Sequence, residues 1–232
     1  MAVTLKCAKN CHDKIGRLLD KYHGGMPTGF LAAIACHESS CNMGSSGDAS
    51  LGEIGIFQVT NSFPRKVSVN PTVRHSTEGN IFLGCLEYNY WAAQVVLDFP
   101  NLVSNGSVDQ WLLARLIFAI GYGGTRSVMR AANPRPGNVY NQLIAWANRT
   151  GGISAGSQSA AKVKARILAV PVQWEIGQQI APTLFLTGPK KPIGFVPFTL
   201  PGPIADVMLK SSLFDPKILI AGLAATIAWF FI

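Results

Sequence analysis

The sequence predicts a mainly α protein: a helical domain with a small loop or hairpin region over residues 1–150, an extended arm over 151–217, and a C-terminal apolar helix over 218–232. Three observations carry this. Apolar residues recur at helical spacing through the first 150 residues. Gly and Ser gather in one internal stretch, residues 42–59. After Thr150 the chain turns to Gly, Ser and Pro until a final uncharged run.

Ile15, Leu18, Leu19 and Tyr22 stand at i, i+3, i+4 and i+7, one face of a helix that stops at Gly24-Gly25. Thr28 can cap a second helix, "GFLAAIACHESS", whose apolar character predicts burial nearly all round. Residues 42–59 alternate weakly, as a loop or small hairpin would. A long helix is expected from Glu78 to Phe99, stopped by Pro100. Ser107 and Gln110 form a capping-box pattern for "VDQWLLARLIFAI", which should end at "GYGG". "NVYNQLIAWAN" supplies one more helix before Gly151-Gly152. Beyond it "GGISAGSQSAAK" reads as a linker, and residues 181–203 hold six prolines, too many for a second packed domain.

The last 15 residues, "ILIAGLAATIAWFFI", would span about 22 Å as a helix, short of a hydrocarbon core of roughly 30 Å. Lys210 and Lys217 flank them on the headgroup side and Trp229 suits the interface, so a membrane anchor is the favoured reading. A buried core helix is the alternative. The formal charge of +8 favours an acidic partner, yet no dense basic tract or RNA-type aromatic motif points to nucleic acid. The N-terminus shows no uninterrupted apolar segment of the signal-peptide kind. Of five cysteines, the near pairs Cys7/Cys11 and Cys36/Cys41 could be bridges or buried thiols, with Cys85 left over.

The chemistry centres on Glu38, which closes the apolar second helix. A carboxylate there is costly unless it is partnered, solvated or holds a proton. "HESSC" sets His37 and Cys41 four apart around Glu38, but the second histidine of an H-E-x-x-H zinc site is missing. Cys7, Cys11 and His12 make an equally weak metal set, so neither metal nor cofactor is expected. As a proton donor, Glu38 would suit glycosidic cleavage, with the loop that follows forming one wall of a sugar cleft.

Three segments, "HESS" with "GEIGIFQ", "GNIFLGCLEY" and "AIGYGGTRSV", together resemble the soluble lytic transglycosylases and goose-type lysozymes. They are similar to the Glu-Ser and Gly-x-x-Gly-Leu-Met-Gln signatures, the Asn-Ile-x-x-Gly-x-x-Tyr-Leu helix and the Ala-Tyr-Asn-Ala-Gly turn, in order across residues 25–148. The resemblance implies a lysozyme-like α+β domain. It makes Glu38 the general acid/base, Ser39 a residue shaping the cleft, and Gly55, Phe57 and Gln58 the lining of the saccharide site. Asn80 and Gly84 fall at structural helix positions, and Tyr122 matches the turn tyrosine. The family's turn Asn has no counterpart here.

Glu53 is a second catalytic candidate, able to orient Glu38, stabilise positive charge or position water; as a solvated loop carboxylate it would do none of these. Asp48 is a lesser candidate, suited to a loop turn. Glu78 and Glu87 read as helix-start and surface residues, and Trp91, Trp111 and Trp146 as core. The resemblance implies cleavage of the β-1,4 bond between N-acetylmuramic acid and N-acetylglucosamine. One glutamate protonates the glycosidic oxygen and then deprotonates the muramyl 6-hydroxyl, which attacks its own anomeric carbon. A hydrolase would need a second carboxylate, for which Glu53 and Asp48 are available. The absent signal segment and the tail together suggest a phage virion enzyme, membrane-associated among other virion proteins, opening the periplasmic wall at genome entry. A lysis enzyme, a secretion-system transglycosylase and a non-enzymatic glycan-binding module are the rivals.

Overall fold

The computed structural model describes residues 3–181, which form eight α-helices and a 3₁₀ turn. Helix α1, Leu5–Tyr22, opens on Thr4, whose hydroxyl accepts the Cys7 N–H at 3.2 Å. Its stripe Ala8, Cys11, Ile15, Leu19 and Tyr22 is buried. Helix α2, Thr28–Ser39, is buried from Gly29 through Cys36 because α1 and α8 both pack on it.

Two disulfides pin these helices together: Cys7–Cys36, with Cα atoms 5.8 Å apart, and Cys11–Cys41, at 5.6 Å. The near pairs suggested by the sequence are not the ones formed. Cys7 and Cys11 lie one turn apart on α1, so both sulfurs face the end of α2 rather than each other. Cys85 is a buried free thiol.

Helix α3 is Ser62–Lys66, followed by the 3₁₀ turn Pro71–His75 and helix α4, Thr77–Asp98. Helices α5, Val108–Ile120, α6, Tyr122–Ala132, and α7, Val139–Thr150, follow. Ser107 caps α5 as expected, accepting the Gln110 N–H at 3.3 Å, while Gln110 reaches back to the Gly106 N–H at 2.6 Å. "GYGG" is not an open turn: Gly121, at φ +77°, redirects the chain and Tyr122 already starts α6.

The helical body also runs past the boundary expected at residue 150. Residues 160–180, assigned by sequence to an extended arm, form α8, Ala160–Ile180, which packs on α1, α2, α5 and α7. Gly29 and Gly177 make this possible: a Cβ on Gly29 would stand 2.2 Å from the Gly177 carbonyl oxygen. Pro171 lies inside α8 and cannot donate to Ile167; that carbonyl instead accepts the buried Tyr140 hydroxyl at 3.2 Å.

The β part of the expected α+β domain is reduced, among the described residues, to isolated bridges, Ser46 with Ile54 and Ile54 with Val59 near the site and Ala155 with Gln158 before α8. The remainder of the arm, 182–217, and the apolar run 218–232 lie outside the described residues. Among the described residues no helix is long and apolar enough to cross a membrane.

Candidate active site

Glu38 stands in the last turn of α2, which ends sharply because Ser40 and Cys41 adopt φ of 54° and 60°. Its carboxylate is partnered. Oε1 accepts from Nη2 of Arg115 at 2.5 Å, and Arg115, on α5, is only 1% exposed. The rest of that guanidinium is also engaged, Nε donating to Gln173 Oε1 on α8 at 2.8 Å and Nη1 to the Tyr88 hydroxyl on α4 at 3.4 Å. Burial disfavours the charge on Arg115, but Tyr88 and Glu38 outweigh it and hold the guanidinium above its usual range. Four elements therefore meet behind one carboxylate.

His37 is half-buried beside Arg166 of α8, with Nε2 3.2 Å from Nη1. Burial, then the Arg115 charge, pushes its pKa down to about 4. The neutral ring accepts from Arg166 through Nε2, which puts the proton on Nδ1, a buried atom without a partner among the described residues.

The loop facing Glu38 is clamped from α4 and the 3₁₀ turn. Asn80, fully buried, accepts the Phe57 N–H at 3.0 Å and donates to the carbonyls of Ile54 at 3.0 Å and Arg74 at 3.2 Å. Arg74 donates to the carbonyls of Gly52 and Val59. Gly55, at φ +79°, brings the backbone against Asn80, where a Cβ would meet the side-chain amide at 2.3 Å. Gln58 is buried at φ 52° and donates to the Gly55 carbonyl at 2.6 Å. Ser39 ties α2 to this loop through Ile56 O at 2.8 Å. Phe57 is core, edge-on to Tyr88 at 6.1 Å. Ser39, Gly55, Phe57 and Gln58 thus hold the loop against α2 and α4 rather than present free groups to a ligand.

Glu53 is partly buried and accepts the Asp48 N–H at 2.9 Å. Desolvation raises its pKa from the ordinary carboxylate value, the Asp48 N–H works against this, and the Glu38 charge adds to it. Asp48 is exposed and accepts from the Ser50 N–H and hydroxyl at 2.8 and 2.5 Å, the loop role foreseen for it.

Two expectations from the sequence fail here. Glu87 is not a surface residue: it is 7% exposed, Oε1 takes a long contact from Trp91 Nε1 at 3.5 Å, and Oε2 is buried with no partner among the described residues. Burial pushes its pKa up to about 8. Trp91 packs against the core but is only partly buried, unlike the buried Trp111 and Trp146. It stacks on Tyr122 at 5.7 Å and lies under Lys66 Nζ at 4.4 Å. Tyr122 gives its hydroxyl to Asp98 at 2.6 Å, so it joins this cluster through Trp91 rather than by a bond to Glu38. Glu78 does start α4, bonded to Lys21 and Tyr22 at 2.8 and 2.6 Å.

Sequence reasoning missed Arg115, Gln173 and Glu87. A signal existed for Arg115, the lone cation of an otherwise apolar "WLLARLIFAI". Among the described residues no group of three or more His, Cys, Asp and Glu could hold a metal ion, and the cysteines of the two zinc readings, Cys41 in one and Cys7 and Cys11 in the other, are in disulfides. Compared with known proteins, the chain matches no family model, no curated protein and no solved structure. The class defined by fold and site is a mainly helical protein with a carboxylate ion-paired to a buried arginine and two further glutamates beside it.

Proposed function

We propose that this is a lysozyme-like enzyme that cleaves the glycan strands of peptidoglycan as a lytic transglycosylase, with Glu38 as acid and base. The observation that carries the reading is the Glu38–Arg115 pair at the mouth of a clamped Gly-rich loop. Oε1 is fixed by Arg115, while Oε2 takes no hydrogen bond among the described residues and is the atom to meet a glycosidic oxygen. Once Glu38 has given up its proton, Arg115 provides a fixed countercharge for the carboxylate that must then take the proton of the attacking hydroxyl. The net charge of +8 favours wall polymers bearing carboxylate or phosphate. Two disulfides suit an oxidising compartment, where peptidoglycan lies.

Glu53 favours a second reading, a hydrolase: it is a carboxyl near Glu38 that desolvation biases toward holding a proton. Carriage in a phage particle, with residues 218–232 as membrane anchor, belongs to the same proposal; absence of the protein from purified particles would count against it.

Mass spectrometry of muropeptides released from purified sacculi by the full chain and by Glu38→Gln tests the function. Anhydromuramyl products lost in the variant are expected. Reducing-end products make the protein a hydrolase with Glu53 in a catalytic role. No product from folded wild-type protein overturns both readings and leaves a glycan-binding module.

A further inference from the structure

His37 and Arg166 have no task in the proposed mechanism, although they adjoin its acid. His37 immediately precedes Glu38 in the last turn of α2. Its imidazole makes one hydrogen bond among the described residues, the 3.2 Å contact from Arg166 Nη1 to Nε2, and its buried Nδ1 is unpartnered there. Arg166 belongs to a stripe of α8. Lys162, Arg166, Ala169 and Gln173 follow one another at i, i+4, i+7 and i+11 and so share one side of the helix. Contacts at both ends of the stripe fix that side against the site: Gln173 holds Arg115, the partner of Glu38, and Arg166 holds His37. Lys162 stands one turn further toward the start of α8.

The two arginines beside Glu38 are in opposite states. Arg115 is buried and spent on the carboxylate. Arg166 is only partly buried, and no carboxylate among the described residues pairs with it. Glu53 does not neutralise it, because that carboxyl accepts the Asp48 N–H and forms no ion pair there. The anchor of Arg166 is a neutral ring, which fixes the direction of the guanidinium and cancels none of its charge. Since that contact uses Nη1, the parallel N–H bonds of Nε and Nη2 make no hydrogen bond among the described residues. Such an edge matches two oxygens of one carboxylate or phosphate. Resting on the glycan-cleaving reading, we infer that Arg166 is a substrate-binding residue, aimed by His37 at a carboxylate or phosphate carried by the glycan strand, with Lys162 adding charge along the same stripe. The site therefore selects an acidic glycan over a neutral one. No bond is made or broken by this contact, so it belongs in KM and not in kcat. His37 acts through Arg166 and is a positioning residue.

Kinetics of muropeptide release from sacculi by the full chain, Arg166→Gln and Arg166→Lys test this. Arg166→Gln should raise KM roughly tenfold or more, the scale of a lost charge-assisted hydrogen bond, with kcat unchanged. Arg166→Lys keeps the charge but not the fork and should recover part of the loss. Sacculi stripped of phosphate polymers by hydrofluoric acid identify the anion: an equal KM effect assigns a stem-peptide carboxylate, and its disappearance assigns a phosphate. An unchanged KM in Arg166→Gln, or a fall in kcat alone, overturns the inference. A second measurement needs no turnover and follows the His37 ring by ¹⁵N NMR in the full chain. N-acetylglucosaminyl-N-acetylmuramyl tetrapeptide or, in the phosphate case, glycerol phosphate should shift Nε2; chitotetraose, a neutral sugar, should not, and Arg166→Gln should abolish the response. Silence of both acidic probes, or an equal shift with chitotetraose, overturns the inference. If the wild-type protein cleaves no peptidoglycan, the proposed function fails and the NMR result still decides whether Arg166 reads an anion.

Discussion

At the scale of single residues, the question raised by a carboxylate ending an apolar helix is answered by Arg115. Removing one partner of a buried pair leaves the other uncompensated, so Arg115→Ala should cost roughly 3–5 kcal/mol in urea unfolding. Glu87 makes the opposite prediction. Its folded pKa, about 8, lies above the ordinary 4.5, so the folded protein binds the extra proton between those values. Its contribution is fully present below 4.5 and is lost as pH rises toward 8. His37, held down to about 4 from 6.5, runs the other way, its contribution being lost as pH falls through that interval. Glu87→Gln should therefore raise Tm, by a margin that widens from pH 5 to pH 8, as scanning calorimetry at several pH values can read. Glu38 was legible because an acid in a run of apolar residues has few excuses. Glu87 was not, because its burial comes from the packing of other elements on α4, which helical spacing does not encode.

At the scale of elements, helices with a side-chain cap and an apolar stripe could be read from sequence, α1 and α5 most directly. Helix α8 could not. Its apolar residues lie all round rather than only on the buried face of Val163, Ile167 and Val170, Pro171 interrupts it, and its docking depends on two glycines far apart in sequence. Those glycines are testable. On Gly177 a Cβ would come within 2.6 Å of the Phe30 backbone nitrogen, and backbone cannot turn aside as a side chain can. Gly177→Ala should cost about 1–3 kcal/mol, the usual range for overpacking. Gly123→Ala, at a helical position with open space around it, should be neutral or gain up to about 1 kcal/mol. Chemical denaturation of the pair separates helix contact from helix propensity; equal effects would mean α8 does not dock through Gly177.

At the scale of the whole molecule, the site is assembled from both ends of the described chain. Cys36 and Cys41 bracket Glu38, and each is tied back to α1 across a separation of 29 or 30 residues. Such loops are worth about 3–4 kcal/mol each by chain entropy. Gln173 comes from the other end and holds Arg115 against Glu38. A fragment ending at residue 150 keeps both disulfides but strips α8 from α1, α2, α5 and α7, exposing the buried face of α2 and leaving the Arg115 Nε without its acceptor. Residues 1–150 should consequently unfold without a sharp transition and release no muropeptides, whereas 1–181 should unfold cooperatively and release them as the full chain does. Reduction by dithiothreitol attacks the other side: with α1 released, the turn that carries Glu38 loses its fixed position, so activity should fall at temperatures where far-UV circular dichroism still shows intact helices. If activity and helix content disappear together on reduction, the disulfides only stabilise the fold; if activity goes first, they also position the glutamate they enclose.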